Sequence, residues 1–335
     1  VPEGVSALDH AYKVVLGLNR SYLPIQGPPG AGKSYTGSHL IQFLLENGKK
    51  VGVCAISHKV INGLLSSTHK LVGDKFEIIH KVSDKNADYS YKVAFKAAEC
   101  HTLASGDKPC VIGGTSWLFA HPDMNERLDY LFIDEGGQLS LANLLSISSA
   151  AKNLVILGDC QQLEQPIQAD HPEGADLSAL EYIQGDHATI PKDRGLFLDT
   201  TYRLHPEICK FNSELFYESR LTATDGNDGQ VITGPTKIEP LMYREVSHKG
   251  NSNYSMEEVE AIYDLVMSLT ENKHEYSLFN KKNMKLEKHT LALKDIMIVA
   301  PYNVQVQRLK DKLPDEVEIG TVSYTHLTLP TTPYV

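Results

Sequence analysis

Eight consecutive residues, Gly27, Pro28, Pro29, Gly30, Ala31, Gly32, Lys33 and Ser34, fit the spacing G-x-x-x-x-G-K-[ST]. Glycines at those positions let backbone N–H groups close around a phosphate, and the helix that follows adds its positive N-terminal end. Lys33 then supplies side-chain charge opposite the outer phosphates, and the Ser34 hydroxyl is a ligand for Mg2+. Tyr35, in the first turn of that helix, belongs to the same nucleotide-facing group. Farther on, Asp134-Glu135-Gly-Gly-Gln138 offers one carboxylate to hold Mg2+ (Asp134) and a second to orient and deprotonate a water (Glu135). Paired acids also serve as helix caps; the phosphate loop upstream favours the metal-and-base reading. In a third group, Gly158-Asp159-Cys-Gln-Gln162-Leu163, the amide of Gln162 can touch both a terminal phosphate and the attacking water.

Such residues need a rigid edge to stand on, and each motif follows a short apolar run. Tyr22–Gln26 reads as a strand before the loop. Lys33–Glu46 reads as a helix, with Leu40, Ile41, Leu44 and Leu45 as its apolar stripe and Asn47-Gly48 as its stop. Pro24 is awkward in a central strand because it removes a ladder donor. Further strand-like runs are Val51–Ser57, Cys110–Gly113, Leu128–Asp134, Leu154–Gly158, Leu196–Asp199, Ile296–Ala300 and Val317–Val322. Most are apolar throughout, as expected of parallel strands covered by helices on both faces. Ligands of such sheets sit beyond the carboxyl ends of the strands. The polar candidates fall there: Lys33, Ser57, Thr115, Glu135, Gln162, Arg203, Tyr302 and Thr321. A boundary is expected near Ile190–Gly195, after a loop-like acidic stretch at 170–186, with a second α/β unit opening at Leu196. Residues 66–109 read as an insertion carrying a helix over Ser90–Leu103, and 272–290 as a polar surface loop.

A chain of 335 residues suffices for two domains. No apolar run approaches the roughly 18 residues of a membrane span, and no secretory leader is visible. No membrane partner is expected. Five cysteines without a C-x-x-C pair read as thiols in a reducing cytoplasm. Histidines are numerous but lack metal spacing. The net charge of −10 runs against the basic balance usual for nucleic-acid binders. A narrow channel can nevertheless hold a single strand by local charge and stacking while the exterior stays acidic. The lysines at 70, 75, 81, 85, 92 and 96 read first as a solvated face.

Taken together, the motifs resemble superfamily 1 helicases. The match adds Gln26, Ser57-His58-Lys59, Gly114-Thr115-Ser116-Trp117, Thr201-Tyr202-Arg203-Leu-His-Pro206 and Val299-Ala-Pro-Tyr302-Asn-Val-Gln305, and it spans about residues 20–322. The branch it resembles is the 5′→3′ one that includes the nonsense-mediated-decay helicase. The loop His171-Pro-Glu-Gly-Ala175 resembles bacterial proteins in which a RecB-like nuclease precedes such a helicase, so that nuclease is an implied partner domain of the full-length protein. The resemblance implies an α/β fold of two RecA-like P-loop NTPase domains with parallel sheets: 1–194, 195–322 as an incomplete second domain, and 323–335 as a non-native tail. It implies ATP and Mg2+ as cofactors and single-stranded nucleic acid, DNA in the first instance, as partner. Gln162 is assigned to the γ-phosphate, Arg203 to an arginine finger and Tyr202 to the adenine. Ser57, His58, Thr115 and Tyr302 are assigned to the strand channel. Alternatives are an RNA helicase of the same branch, or a nucleotide-dependent binding module without productive unwinding. Superfamily 2 is disfavoured by the Gly-Asp-x-x-Gln-Leu box.

Two departures stand out. Asp-Glu-Gly-Gly replaces the family's commoner alanine after the acids, which would loosen a following helix by about 1 kcal/mol per glycine. The chain opens on Val1, and Ser323–Val335 holds four threonines and two prolines but no Asp, Glu, Lys or Arg. The chain is therefore expected to be a gene fragment. The resemblance implies, after Gly320-Thr321-Val322, a motif that couples ATP to the strand and a second arginine facing the γ-phosphate; without them its activity is expected to be impaired.

Overall fold

The computed structural model describes residues 4–83, 89–162, 177–280 and 285–321. Leu163, Lys85, the His171–Ala175 loop and the tail from Val322 onward lie outside the described residues. The chain divides into two compact units, the first made of residues up to Thr201 with Asn212–Leu221, the second of Tyr202–Phe211 and the segment from Thr222.

In the first unit the elements run α1 (Ala7–Gly17), β1 (Tyr22–Gln26), α2 (Lys33–Glu46), β2 (Val51–Cys54), α3 (His58–Val72), β3 (Glu77–Lys81) and β4 (Lys92–Ala94). They continue with α4 (Ala97–Ser105), β5 (Cys110–Gly114), α5 (Ser116–Phe119), β6 (Leu128–Ile133), α6 (Leu141–Ser148), β7 (Ala151–Gly158), α7 (Ala179–Gln184) and β8 (Leu196–Phe197). The strands form one eight-stranded sheet in the order β4-β3-β5-β2-β6-β7-β1-β8, and its pairings are parallel. Two apolar layers cover it. One gathers Leu40, Ile41, Leu44, Leu45, Ile61 and Leu65 against Ile25, Val53 and Phe132. The other gathers Phe119, Leu144 and Ile147 against Ile112, Leu131 and Ile156.

Register decides where the chemistry emerges. Cys54 lies opposite both Ile133 and Gly114, Ile133 opposite Ile156, and Gln26 opposite Gly158. At roughly 3.3 Å per residue, five central strands therefore end within about two residues of one another. Pro24 fits for a simple reason. Gly27 N–H bonds to Gly158 O on the β7 side, whereas Gln26 O accepts from Leu198 on the β8 side. Alternation puts the Pro24 nitrogen on the β8 side, before that ladder begins at Ile25–Leu196.

Several expectations are corrected. Residues 90–94 are not helical: Lys92–Ala94 pairs with β3, and the helix begins at Ala97. The supposed insertion thus supplies two strands to the sheet edge, because edge pairing outweighs local helix preference. Leu196–Phe197 closes the first sheet beside β1 instead of opening a second. The linker before it is anchored, since Gln26 Oε1 accepts from Ile190 N–H at 2.7 Å and Gln26 Nε2 donates to Ala188 O at 3.2 Å. Within 170–186, a helix, α7, is fixed by a capping box in which Ser178 and Glu181 each accept the other's backbone N–H.

After β9 (Thr200–Thr201) come α8 (Pro206–Phe216), β10 (Thr222–Ala223), β11 (Ile232–Thr233), α9 (Met256–Glu271), β12 (Glu275–Asn280), β13 (Lys285–Thr290), β14 (Met297–Ala300), α10 (Asn303–Lys312) and β15 (Glu318–Thr321). In the second unit β14 and β15 pair in parallel, and Val259, Val266, Val306 and Leu309 of α9 and α10 pack with Ala300 and Ile319. The polar stretch expected as a loop over 272–290 contains an antiparallel pair, β12–β13, with β11 beside β12. β13 is exposed and mostly polar, so it lacks the period-2 signal of a half-buried strand, whereas in β12 the alternation is confined to the short Glu275–Leu278 run. No helix among the described residues is long and apolar enough to cross a membrane.

Candidate functional site

The phosphate loop joins β1 to α2, and its geometry requires glycine twice: Gly30 has φ +75° and Gly32 φ +84°. Gly32 is the α2 N-cap and carries no side-chain cap, so the first-turn N–H groups are available to an anion. The Lys33 ammonium donates to Gly27 O at 2.6 Å, curled back onto its own loop. A Cβ on Gly27 would lie 2.4 Å from Lys33 Cγ, so only glycine leaves the lysine its path. Pro29 O accepts from Thr201 Oγ1 at 2.8 Å, which braces the loop from the end of β9. Pro28 is buried and its carbonyl accepts from Ala31 N–H, while Ser34 and Tyr35 are exposed at the helix start. Tyr35 packs against His39 with ring centroids 3.9 Å apart and planes tilted by 38°.

Asp134 and Glu135 sit at the end of β6, two strands from β1. Asp134 is buried, its N–H donates to Cys54 O, and its Oδ1 accepts from Glu135 N–H at 3.0 Å. Burial, then the neighbouring Glu135 carboxylate, pushes the Asp134 carboxyl up to about 7, although the Lys33 charge pulls the other way. A buried carboxylate that is costly to ionise is one that a divalent cation would relieve. Glu135 is only half-buried and holds φ +55°, a left-handed conformation unusual for a residue with a Cβ. The two acids thus differ in surroundings, Asp134 buried at the strand end and Glu135 half-buried in the turn beyond it.

Gly136 and Gly137 lie in a turn before α6, not inside a helix, so the expected helix-loosening cost does not arise. Their role is close approach. A Cβ on Gly137 would stand 2.6 Å from Asp159 O, and one on Gly158 within 2.9 Å of the Gly136 and Gly137 nitrogens. The backbone after the acids therefore packs directly on the end of β7.

Asp159 is the hub of that end. Its Oδ1 accepts from Gln26 Nε2 and Gln161 N–H, each at 3.2 Å; its Oδ2 accepts from Gln162 Nε2 at 3.2 Å and Tyr217 O–H at 2.8 Å. Gln162 is thereby oriented by a buried carboxylate, and burial beside Asp159 raises the Tyr217 phenol. Gln26 and Asp159 carried a legible signal, polar residues ending apolar strands. Tyr217 gave none, because only the fold brings it to β7.

Ser57 and Thr115 end the neighbouring strands β2 and β5. The Ser57 hydroxyl accepts from Val60 N–H as the α3 N-cap. His58 Nδ1 meets His80 Nε2 at 3.1 Å, and burial lowers both imidazoles, His80 to about 4. Thr115 occupies the α5 N-cap position without a side-chain capping bond. Two residues on, Trp117 is 90% exposed, an unspent indole at the same edge. The lysine-rich face behaves as a solvated surface where Lys92 pairs with Glu77 at 3.2 Å.

Tyr202 and Arg203 lie exposed in the turn before α8, in the second unit. Tyr302, half-exposed, stands at the N-cap position of α10 after β14.

Two family profiles, each described as an AAA domain, match residues 9–175 and 175–325. The chain is 25% identical over 362 residues to the DNA polymerase alpha-associated DNA helicase A of Schizosaccharomyces pombe, covering 89% of this chain and 53% of that protein. It is 28% identical over 225 residues to helicase SEN1 of Saccharomyces cerevisiae, covering 64% and 9%. To the DNA replication ATP-dependent helicase/nuclease dna2 of S. pombe it is 25% identical over 338 residues, covering 90% and 23%. The chain therefore spans about half of the first relative's length and less of the others.

Proposed function

We propose, from the premise that this chain is a P-loop NTPase of the superfamily 1 helicase branch that includes SEN1 and dna2, that it hydrolyses ATP to move along single-stranded DNA in the 5′→3′ direction. The observation that carries the reading is sheet order. Lys33, Gln162 and Asp134-Glu135 follow the adjacent strands β1, β7 and β6, and Ser57 and Thr115 follow the next two, β2 and β5.

The loop N–H groups and Lys33 would bind the triphosphate, and Ser34 and Asp134 would hold Mg2+. When bound, Mg·ATP supplies the phosphoanhydride whose hydrolysis drives movement. Glu135 takes a proton from the attacking water, and Gln162, held by Asp159, orients that water. Arg203 adds the arginine-finger charge and Tyr202 stacks on adenine. Along the strand, Ser57, His58, Thr115 and Tyr302 contact the backbone, while Trp117 offers a stacking face worth about 1–3 kcal/mol per base. The inward bond of His58 to His80 leaves its Nε2 for that contact. Pairing with a nuclease in a longer protein is part of the proposal and is supported by the name of one relative, helicase/nuclease.

The test is steady-state ATPase with no nucleic acid, with single-stranded DNA and with single-stranded RNA, followed by strand separation on 5′- and 3′-tailed duplexes. Stimulation by DNA and preference for the 5′ tail support the reading. Stimulation by RNA alone would make it an RNA helicase, and an unstimulated rate would make it a nucleotide-dependent binding module.

A further inference from the structure

We propose that His101, His121 and Asp123 form a site for one divalent transition-metal ion of the zinc class, which ties α4 to the turn that follows α5. His101 Nδ1 lies 3.3 Å from Asp123 Oδ2, and His121 Nδ1 lies 3.5 Å from the same oxygen. The three ligand atoms all fall within 4.8 Å of one another. Metal–ligand bonds of about 2.0–2.2 Å at tetrahedral angles put neighbouring ligand atoms roughly 3.3–3.5 Å apart. Two of the three separations already have that value.

His121 Nδ1 accepts a long hydrogen bond from Asp123 N–H at 3.3 Å. An imidazole nitrogen has a single in-plane lone pair, so a metal ion would take the place of that hydrogen bond, with Asp123 Oδ2, 3.5 Å away, as the neighbouring ligand. On His101, Nε2 is buried without a partner, so Nδ1 is the ring atom open to a ligand. The rings stack at 4.7 Å and 29°, which keeps the two imidazoles side by side. Pro122 opens the 3-10 turn between His121 and Asp123 and stiffens that turn. Asp123 and His121 are exposed, leaving a fourth position for water.

Two imidazoles and one carboxylate suit Zn2+, Ni2+ or Cu2+ better than Mg2+ or Ca2+, which prefer all-oxygen shells. The segment the ion would close, from α4 through β5 to the turn, carries Thr115 and the exposed Trp117. Bound metal would therefore restrain α5.

The experiment uses the tag-free chain, stripped with EDTA and desalted. Zn2+ and Co2+ are titrated by calorimetry and visible absorption, with thermal unfolding in parallel. Expected are one equivalent bound, intense d–d bands for tetrahedral Co2+, and a rise in Tm with Zn2+. His121→Ala and Asp123→Asn alter exposed side chains and should leave the circular dichroism intact. Each should weaken Zn2+ by at least about tenfold and abolish the Tm rise. Parent-like affinity and stoichiometry in both variants would overturn the site. So would a parent chain that binds no Zn2+, which would leave the cluster an imidazole–carboxylate pair only.

Discussion

Asp134→Asn should stabilise the nucleotide-free protein, and more so as pH rises. The folded Asp134 carboxyl titrates near 7, against 3.8 for the unperturbed side chain, with burial as the largest cause and Glu135 as the second. A raised acid keeps its proton in the fold. Its contribution is intact below about pH 3.8 and is lost progressively as pH climbs to about 7. The full loss is a difference of about three pH units, or at most about 4 kcal/mol at pH 8. At pH 5.5 it is only about 2 kcal/mol. Asparagine carries no charge to bury, and its Oδ1 can still accept from Glu135 N–H, as Asp134 does at 3.0 Å. The variant should therefore gain on the parent by about 2 kcal/mol more at pH 8 than at pH 5.5. The assay is urea unfolding followed by circular dichroism at both pH values, in EDTA and without nucleotide. Adding Mg·ATP should reverse the order, because only the parent can use the carboxylate on the metal. An advantage independent of pH, or a variant less stable than the parent at pH 8, would refute the assignment of a buried, poorly ionised Asp134.

Lys33→Ala should abolish tight Mg·ATP binding, read with a fluorescent nucleotide; unchanged affinity would sink the loop's role. Glu135→Gln should keep nucleotide binding and lower hydrolysis by roughly 10²–10⁴-fold, and a loss below tenfold in single-turnover assays would count against it as the base. Gly137→Ala and Gly136→Ala should each cost about 1–3 kcal/mol, because the first Cβ meets backbone at Asp159 O and the second meets the buried, β-branched Ile156 and then Leu157 O; thermal unfolding in which either variant matches the parent contradicts the packing. Trp117→Ala should weaken single-stranded DNA about tenfold or more with ATP binding intact, and equal affinity by anisotropy would remove the indole from the channel.

The residues themselves determined the chemistry and much of the framework. Lys33–Glu46 is helical over the whole span its apolar stripe indicated, and the runs expected as strands at Leu128, Leu154 and Val317 contain the strands Leu128–Ile133, Ala151–Gly158 and Glu318–Thr321. Local sequence encodes backbone period, turn chemistry and reactive groups, so it carries motifs and the elements beneath them. Strand partnership is not local. Lys92–Ala94 became a strand because β3 lies beside it, Leu196–Phe197 joined β1, and the polar, exposed Lys285–Thr290 is a strand because β12 pairs with it. Burial is likewise a property of the assembled sheet. Only tertiary packing raised the Asp134 carboxyl, pressed Gly137 against β7, brought Tyr217 to Asp159, and set His101 of α4 beside His121 and Asp123. These features join residues tens of positions apart, and the distance and dielectric between such groups exist only once the chain is folded.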